Sequence, residues 1–158
     1  KSHASPGFRS GWCVGPRSFC DALLPYCETM LFGNQPFIAD MTEQAVREGS
    51  PVAAGMAARF AARAGRLAEQ LHAQTDLRVH RPQAGMFAMI NVGATGQTGE
   101  AYAMDLLESV GVAVMPGSSF GDTLPGWVRV ALTIEDTRFD EAVARIVSHA
   151  VTRKQAVA

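Results

Sequence analysis

Between Pro16 and Gln74 the apolar residues recur at three- and four-residue spacing, whereas from Leu77 onward short apolar runs alternate with turn-rich segments. The first pattern predicts helices and the second predicts strands. Pro16 suits the first turn of a helix running to about Phe32, with Pro25 expected to kink or divide it. Ahead of it, Ser10 to Gly15 (Ser-Gly-Trp-Cys-Val-Gly) reads as a short buried strand. After the turn Gly33-Asn34-Gln35-Pro36, the stripe Phe37, Ile38, Met41, Ala45 and Val46 predicts a second helix, which Gly49-Ser50-Pro51 ends. A long third helix follows from Val52 to about Gln74, with Val52, Met56, Phe60, Leu67 and Leu71 on its apolar face and Arg59, Arg63, Arg66 and Glu69 on its polar face.

Strands are predicted at Leu77–Arg81, Met86–Val92, Val112–Met115 and Trp127–Thr133. A helix from Gly99 to Ser109, capped by Thr98 and burying Leu106, Leu107 and Val110, lies between the second and third. The last helix is expected near Thr137, where Thr137 and Asp140 have capping-box spacing, with Phe139, Val143, Ile146, Val147 and Ala150 as its buried stripe. Helices alternating with short strands give an α/β layer structure. A boundary is expected near Gly49, separating residues 1–49 from a smaller α/β domain, residues 50–158, led by the long helix.

Composition narrows the function classes. The 158 residues are 47% hydrophobic, enough for a substantial core. Fourteen basic residues nearly cancel fifteen acidic ones, for a net charge of −1, and no basic block exceeds Arg153-Lys154, so neither a nucleic acid nor a membrane surface is an expected partner. Cys13, Cys20 and Cys27 lack paired metal spacing and are expected as buried free thiols in a reducing cytoplasm. His3, His72, His80 and His149 are scattered, so no metal is assigned. Gly93-Ala94-Thr95-Gly96-Gln97-Thr98-Gly99 reads as a flexible surface loop.

Three segments carry chemistry. Lys1-Ser2-His3-Ala4-Ser5-Pro6-Gly7-Phe8-Arg9 sets an amine eight residues before a planar cation, across small and turn residues. Val114-Met115-Pro116-Gly117-Ser118-Ser119-Phe120-Gly121 lacks the Lys-Ser/Thr ending of a phosphate-cradling loop and reads as a pocket wall. Arg129 stands in the apolar strand Trp127-Val128-Arg129-Val130-Ala131-Leu132, where its charge needs an anion, either a ligand carboxylate or a structural Asp or Glu. Together, in this order, these segments resemble the fold type I pyridoxal-phosphate aminotransferases of the aspartate aminotransferase family, from Lys1 to about His149. Ser5 and Ser10 stand where that family more often has an apolar residue.

The resemblance implies the end of a large cofactor-binding domain followed by the family's small α/β domain. It implies Lys1 as the residue that forms a Schiff base with pyridoxal 5′-phosphate and then shuttles the substrate proton, Arg9 as the phosphate ligand, and Arg129 as the grip on the substrate α-carboxylate. It also implies transfer of an amino group from an amino acid to a 2-oxo acid, in a cytoplasmic homodimer. A pyridoxal-phosphate lyase on the same scaffold would use the same three residues, and a non-enzymatic aminotransferase-like domain that binds cofactor or amino acid and regulates an attached DNA-binding domain is a further alternative. In some acid-specific members an arginine precedes the turn equivalent to Gly33–Pro36; here Glu28-Thr29-Met30-Leu31 stands there, so aspartate is not the expected donor.

Overall fold

A computed structural model describes residues 1–157, with side chains as far as Arg153. The chain forms two compact units, Lys1–Met56 and Ala57 onward. In the first, the loop from Lys1 to Pro16 leads into α1 (Arg17–Leu31) and α2 (Pro36–Glu48), and α3 (Ala53–Gln74) begins. Pro36 stands in the first turn of α2, where its missing N–H has no intrahelical partner to lose. Pro25 does not divide α1, which runs unbroken through it.

Two expectations for this unit are corrected. Residues 10–15 form no strand, because a strand exists through ladder bonds and no described segment lies alongside to supply them. For the same reason the thiols are not buried: Cys13 and Cys20 are exposed and Cys27 is half-covered, all three free. Ile38 is the only apolar side chain of residues 1–56 that reaches full burial.

The second unit is a four-stranded antiparallel sheet of β1 (Arg78–His80), β2 (Phe87–Asn91), β3 (Met115–Pro116) and β4 (Trp127–Ala131), in the order β1-β2-β4-β3. Between β2 and β3 lies α4 (Gly99–Val110), and α5 (Asp136–Val157) closes the chain. One sheet face presents Val79, Ala88, Ile90 and Val128 to Leu67 and Leu71 of α3, Tyr102 and Leu106 of α4, and Phe139, Val143 and Ile146 of α5. Strand alternation therefore leaves Phe87, Met89, Trp127 and Arg129 on the opposite face. The third strand is shorter than expected because Val112 leaves the edge and enters the core. Thr98 caps α4 as expected, accepting from the Ala101 N–H at 3.2 Å.

Polar contacts overturn two readings of the helices. Arg63 belongs to the interior, not the polar face: it is 6% exposed, with Nη1 donating to the Leu132 carbonyl at 2.8 Å and Nε and Nη2 donating to Asp136. Asp136 also accepts from Arg66, and Asp140 pairs with Arg66 at 3.0 Å. The expected capping box at Thr137 and Asp140 is thus replaced by a tertiary ion-pair network tying α5 to α3. The Arg63 and Arg66 guanidiniums hold the Asp136 carboxyl far below its usual range. At the other end of α5, His149 meets Asp105 of α4 at 2.9 Å and Arg153 ion-pairs with the same carboxylate. Burial pushes the Asp105 carboxyl upward, but these two partners prevail and lower it. Burial pushes the Tyr102 hydroxyl up to about 12.

Candidate active site

The loop carrying Lys1 and Arg9 is fastened at both ends. His3 Nε2–H donates to the Ala45 carbonyl at 3.0 Å, an acceptor with no proton to give, and Nδ1 is hydrogen-bonded with Ser2 Oγ at 3.0 Å. Ser50 donates to the Ser2 carbonyl while its oxygen accepts the N–H groups of Val52 and Ala53. One serine therefore caps α3 and holds the residue next to Lys1. At the far end, Ser10 Oγ lies 3.1 Å from Asn34 Nδ2 and 2.7 Å from Thr42 Oγ1, which is itself 2.7 Å from the Ile38 carbonyl. Thr42 has one hydroxyl proton and the carbonyl can only accept, so the donors run Asn34 to Ser10, Ser10 to Thr42, and Thr42 to Ile38. Ser5 Oγ donates to the His3 carbonyl at 2.9 Å. The two serines that depart from the family pattern thus work as hydrogen-bonding groups of this loop.

Both candidate side chains on the loop, Lys1 and Arg9, are exposed. Arg9 sits at φ +54°, in the left-handed region, and its guanidinium makes one long bond, from Nη1 to the Pro6 carbonyl at 3.5 Å. Lys1 makes no side-chain hydrogen bond or ion pair among the described residues. A cavity of about 140 Å³ between the loop and α2 is lined by Lys1, His3, Trp12, Met41 and Thr42. A larger cavity of about 340 Å³ in the second unit, near Thr75, Thr95 and Arg153, contains none of the expected site residues.

Arg129 stands on the open face of the sheet in the second unit, half-buried, directly opposite Met89 on β2 and Met115 on β3. Its guanidinium carbon lies 4.1 Å from the centre of the Phe87 ring and 4.3 Å from that of Phe120. Among the described residues no carboxylate pairs with it. The structural Asp or Glu partner that the sequence left open is therefore absent from those residues, and the fork of N–H donors is available to an anion from outside. Sequence reasoning missed both rings. Alternation put Phe87 on the face of Arg129 and could have found it; Phe120 comes from a 3-10 turn, Gly117–Phe120, whose direction no pattern gives.

Two glycines set the height of that turn. A Cβ on Gly117 would strike the carbonyl of Leu124, and one on Gly99 would strike the carbonyl of Trp127. The residues leading into β4 pass so close over both that only glycine fits. Gly99 also donates to the Pro125 carbonyl at 2.6 Å. The glycine-rich segment before α4 lies largely on the surface as expected, with a 3-10 turn at Gly93–Thr95, while its last residue, Gly99, is buried and seats the residues leading into the Arg129 strand.

The sequence matches the family "Aminotransferase class I and II" over residues 1–146. The chain belongs to that family. Among similar proteins, the arginine–pyruvate transaminase of Pseudomonas aeruginosa is 36% identical over 92% of this chain and 37% of its own length. An LL-diaminopimelate aminotransferase of Dehalococcoides mccartyi is 29% identical over the same shares. The chain therefore spans little more than a third of the curated relatives it matches. In fold it is similar to an aromatic aminotransferase from Pyrococcus horikoshii, with a TM-score of 0.80 at 22% identity, covering 98% of this chain and 42% of that one. An aminotransferase from Staphylococcus aureus gives 0.79 at 25% identity, covering 95% and 39%. These class I and II aminotransferases depend on pyridoxal 5′-phosphate. The residues present fit that group: an exposed primary amine and, on the same fastened loop, an exposed guanidinium with most of its donors unengaged. Among the described residues there is no cluster suited to a metal ion, and no helix long and apolar enough to cross a membrane.

Proposed function

We propose that this chain is the C-terminal part of a pyridoxal-phosphate aminotransferase that moves an amino group from an amino acid to a 2-oxo acid. On this reading residues 1–49 end the large cofactor domain and residues 50–158 form the small domain, within a cytoplasmic homodimer. The observation that carries it is the division of labour among three cations. Among the described residues Lys1 makes no side-chain hydrogen bond or ion pair, Arg9 makes only one long bond, and Arg129, on the sheet, has no carboxylate partner. Pyridoxal phosphate, when bound, supplies an electron sink that stabilises negative charge at the substrate α-carbon. Arg9 would hold the phosphate through charge-assisted bonds. Arg129 would hold the α-carboxylate and so orient the substrate. The Lys1 amine would take the proton from the α-carbon and return it on the cofactor side. Fastening of the loop through Ser2, His3 and Ser10 fixes where that amine can reach.

A neutral or basic donor is favoured over aspartate. Glu28 stands where some acid-specific members carry an arginine, and a carboxylate there repels an acidic side chain. The 36% identical relative is named for arginine. Borohydride reduction of the full-length protein followed by peptide mapping should find pyridoxyl label on Lys1, and Lys1→Ala should lower turnover by about 10²- to 10⁴-fold or more while cofactor still binds. Label on another lysine overturns the assignment. A higher specificity constant for aspartate than for neutral or basic amino acids overturns the donor reading alone.

A further inference from the structure

We propose that Phe87 and Phe120 are positioning residues for Arg129, clamping its guanidinium so that a carboxylate can approach only at its edge. The proposal rests on the reading of Arg129 as the carboxylate ligand and adds how its selectivity is built. Both ring centres lie within 4.3 Å of one guanidinium carbon, at 4.1 and 4.3 Å. Yet the rings make no contact with each other, the only aromatic pair among the described residues being Tyr102 with His149. Two rings within stacking distance of one guanidinium and not paired with each other occupy separate positions around it, which is what a clamp requires. In that clamp the flat faces are covered and the N–H donors that point outward in the plane stay open; among the described residues Arg129 makes no side-chain hydrogen bond or ion pair.

Three consequences follow from ordinary chemistry. A long side chain stacked in advance loses its rotamer freedom on folding rather than on binding, so the ligand is not charged with that ordering. The coplanar fork left open matches the two oxygens of a carboxylate, in a bidentate pair, better than a single-atom anion such as chloride. The rings come from different places: Phe87 is the diagonal neighbour of Arg129 on β2, and Phe120 ends the turn held down over Gly117. The clamp therefore forms only when the strand register and the turn are both in place, and Phe120, 49% exposed, is the ring that can be changed without opening the core.

The test uses the full-length holoenzyme. Phe120→Leu and Phe87→Leu should each raise KM for the amino acid and the 2-oxo acid by a similar factor, about three- to tenfold for the ordering of one long side chain, with kcat changed far less. Binding of butyrate, a plain carboxylate followed by spectral titration, should weaken by the same factor, and Phe120→Tyr, which keeps the ring, should restore it. In an Arg129→Ala background the Phe120→Leu effect should vanish, because it acts through the arginine. If Phe120→Leu changes neither KM nor butyrate binding, the clamp is refuted. An equal effect of Phe120→Leu with and without Arg129 shows that the ring touches substrate directly, and also refutes it. Should Phe87→Leu fail to fold, the Phe120 series decides alone. If Arg129→Ala itself leaves both substrates and butyrate unaffected, the carboxylate reading has failed rather than the clamp.

Discussion

The two units of this chain have similar shares of apolar residues but use them differently. In the second unit the apolar stripes of three helices meet one face of a sheet, and Leu67, Leu106, Ile146 and Phe139 are fully or almost fully buried. In the first, Val14 is 90% exposed, Phe32 91% and Met30 75%, although α1 and α2 are as clearly amphipathic in sequence. A helix stripe specifies that a face must be covered, not what covers it. The second unit holds both sides of its own interface, whereas the first leaves Val14, Met30, Leu31, Phe32 and Phe37 exposed, more large apolar side chains than a short segment usually leaves to water. On the proposed reading the remainder of the large domain covers them. The three cations proposed to act in the site divide along the same line. Arg129 sits on a self-sufficient sheet, while Lys1 and Arg9 sit on a loop held mainly by hydrogen bonds.

The comparison breaks most directly at the core. Phe139→Ala should cost about 3–5 kcal/mol in urea or thermal unfolding. Phe32→Ala in the same 158 residues should stay within about 0.5 kcal/mol, as for an exposed position. Equal losses would show that the first unit has a core of its own. In the full-length protein the Phe32 change should become costly, and if it stays silent there, nothing covers that face.

Next in size is Arg129→Ala, expected to weaken amino-acid and oxo-acid substrates alike by about 2 kcal/mol, the low end for removing a paired charge because the side chain is only half-buried. Steady-state kinetics with both substrates check it. A loss confined to one of them would mean that the arginine does not hold the carboxylate common to both. Thr98→Ala should cost about 1 kcal/mol by removing the cap of α4, and it should lower unfolding stability without changing KM.

The smallest and most graded effect is acid sensitivity. Asp136 and Asp105 both have carboxyl groups lowered by their partners in the folded protein, so each contributes stability that is present above the ordinary carboxylate range, about pH 4, and is lost as pH falls below it. Both acids belong to the second unit. Hydrogen exchange followed from pH 5 to pH 3 should therefore show protection falling in α3 and α5, and Asp136→Asn should flatten that fall. An unchanged acid limb in the variant would mean that the Arg63–Asp136 pair contributes nothing to folding.

Much of this was legible in the chain itself. The helices, the Thr98 cap, the alternation of β2 and β4 and the placement of Arg129 on a strand follow from local spacing and hydrogen-bonding capacity, and the structure keeps them; the buried edge expected for α4 is corrected at Leu107, which is exposed while Tyr102, Ala103 and Leu106 face the core. The order Lys1, Arg9, Arg129 also lies in the sequence, because it is a matter of residue identity. What only the tertiary structure decided are the relations between distant segments. Arg63 reads as polar surface by periodicity, yet it is interior because Asp136 and the Leu132 carbonyl, some seventy residues away, satisfy its donors. Asp140 has the spacing of a helix cap, yet Arg66 takes it. Ser10–Gly15 has the apolar character of a strand, yet a strand needs a neighbour, and composition does not supply one. Phe120 meets Arg129 only because two glycines let one loop pass close over another. Spacing along a chain fixes which face a residue occupies, but the partner that face meets depends on how the segments come together, and that is set by packing and by the need of each buried polar group for a counterpart.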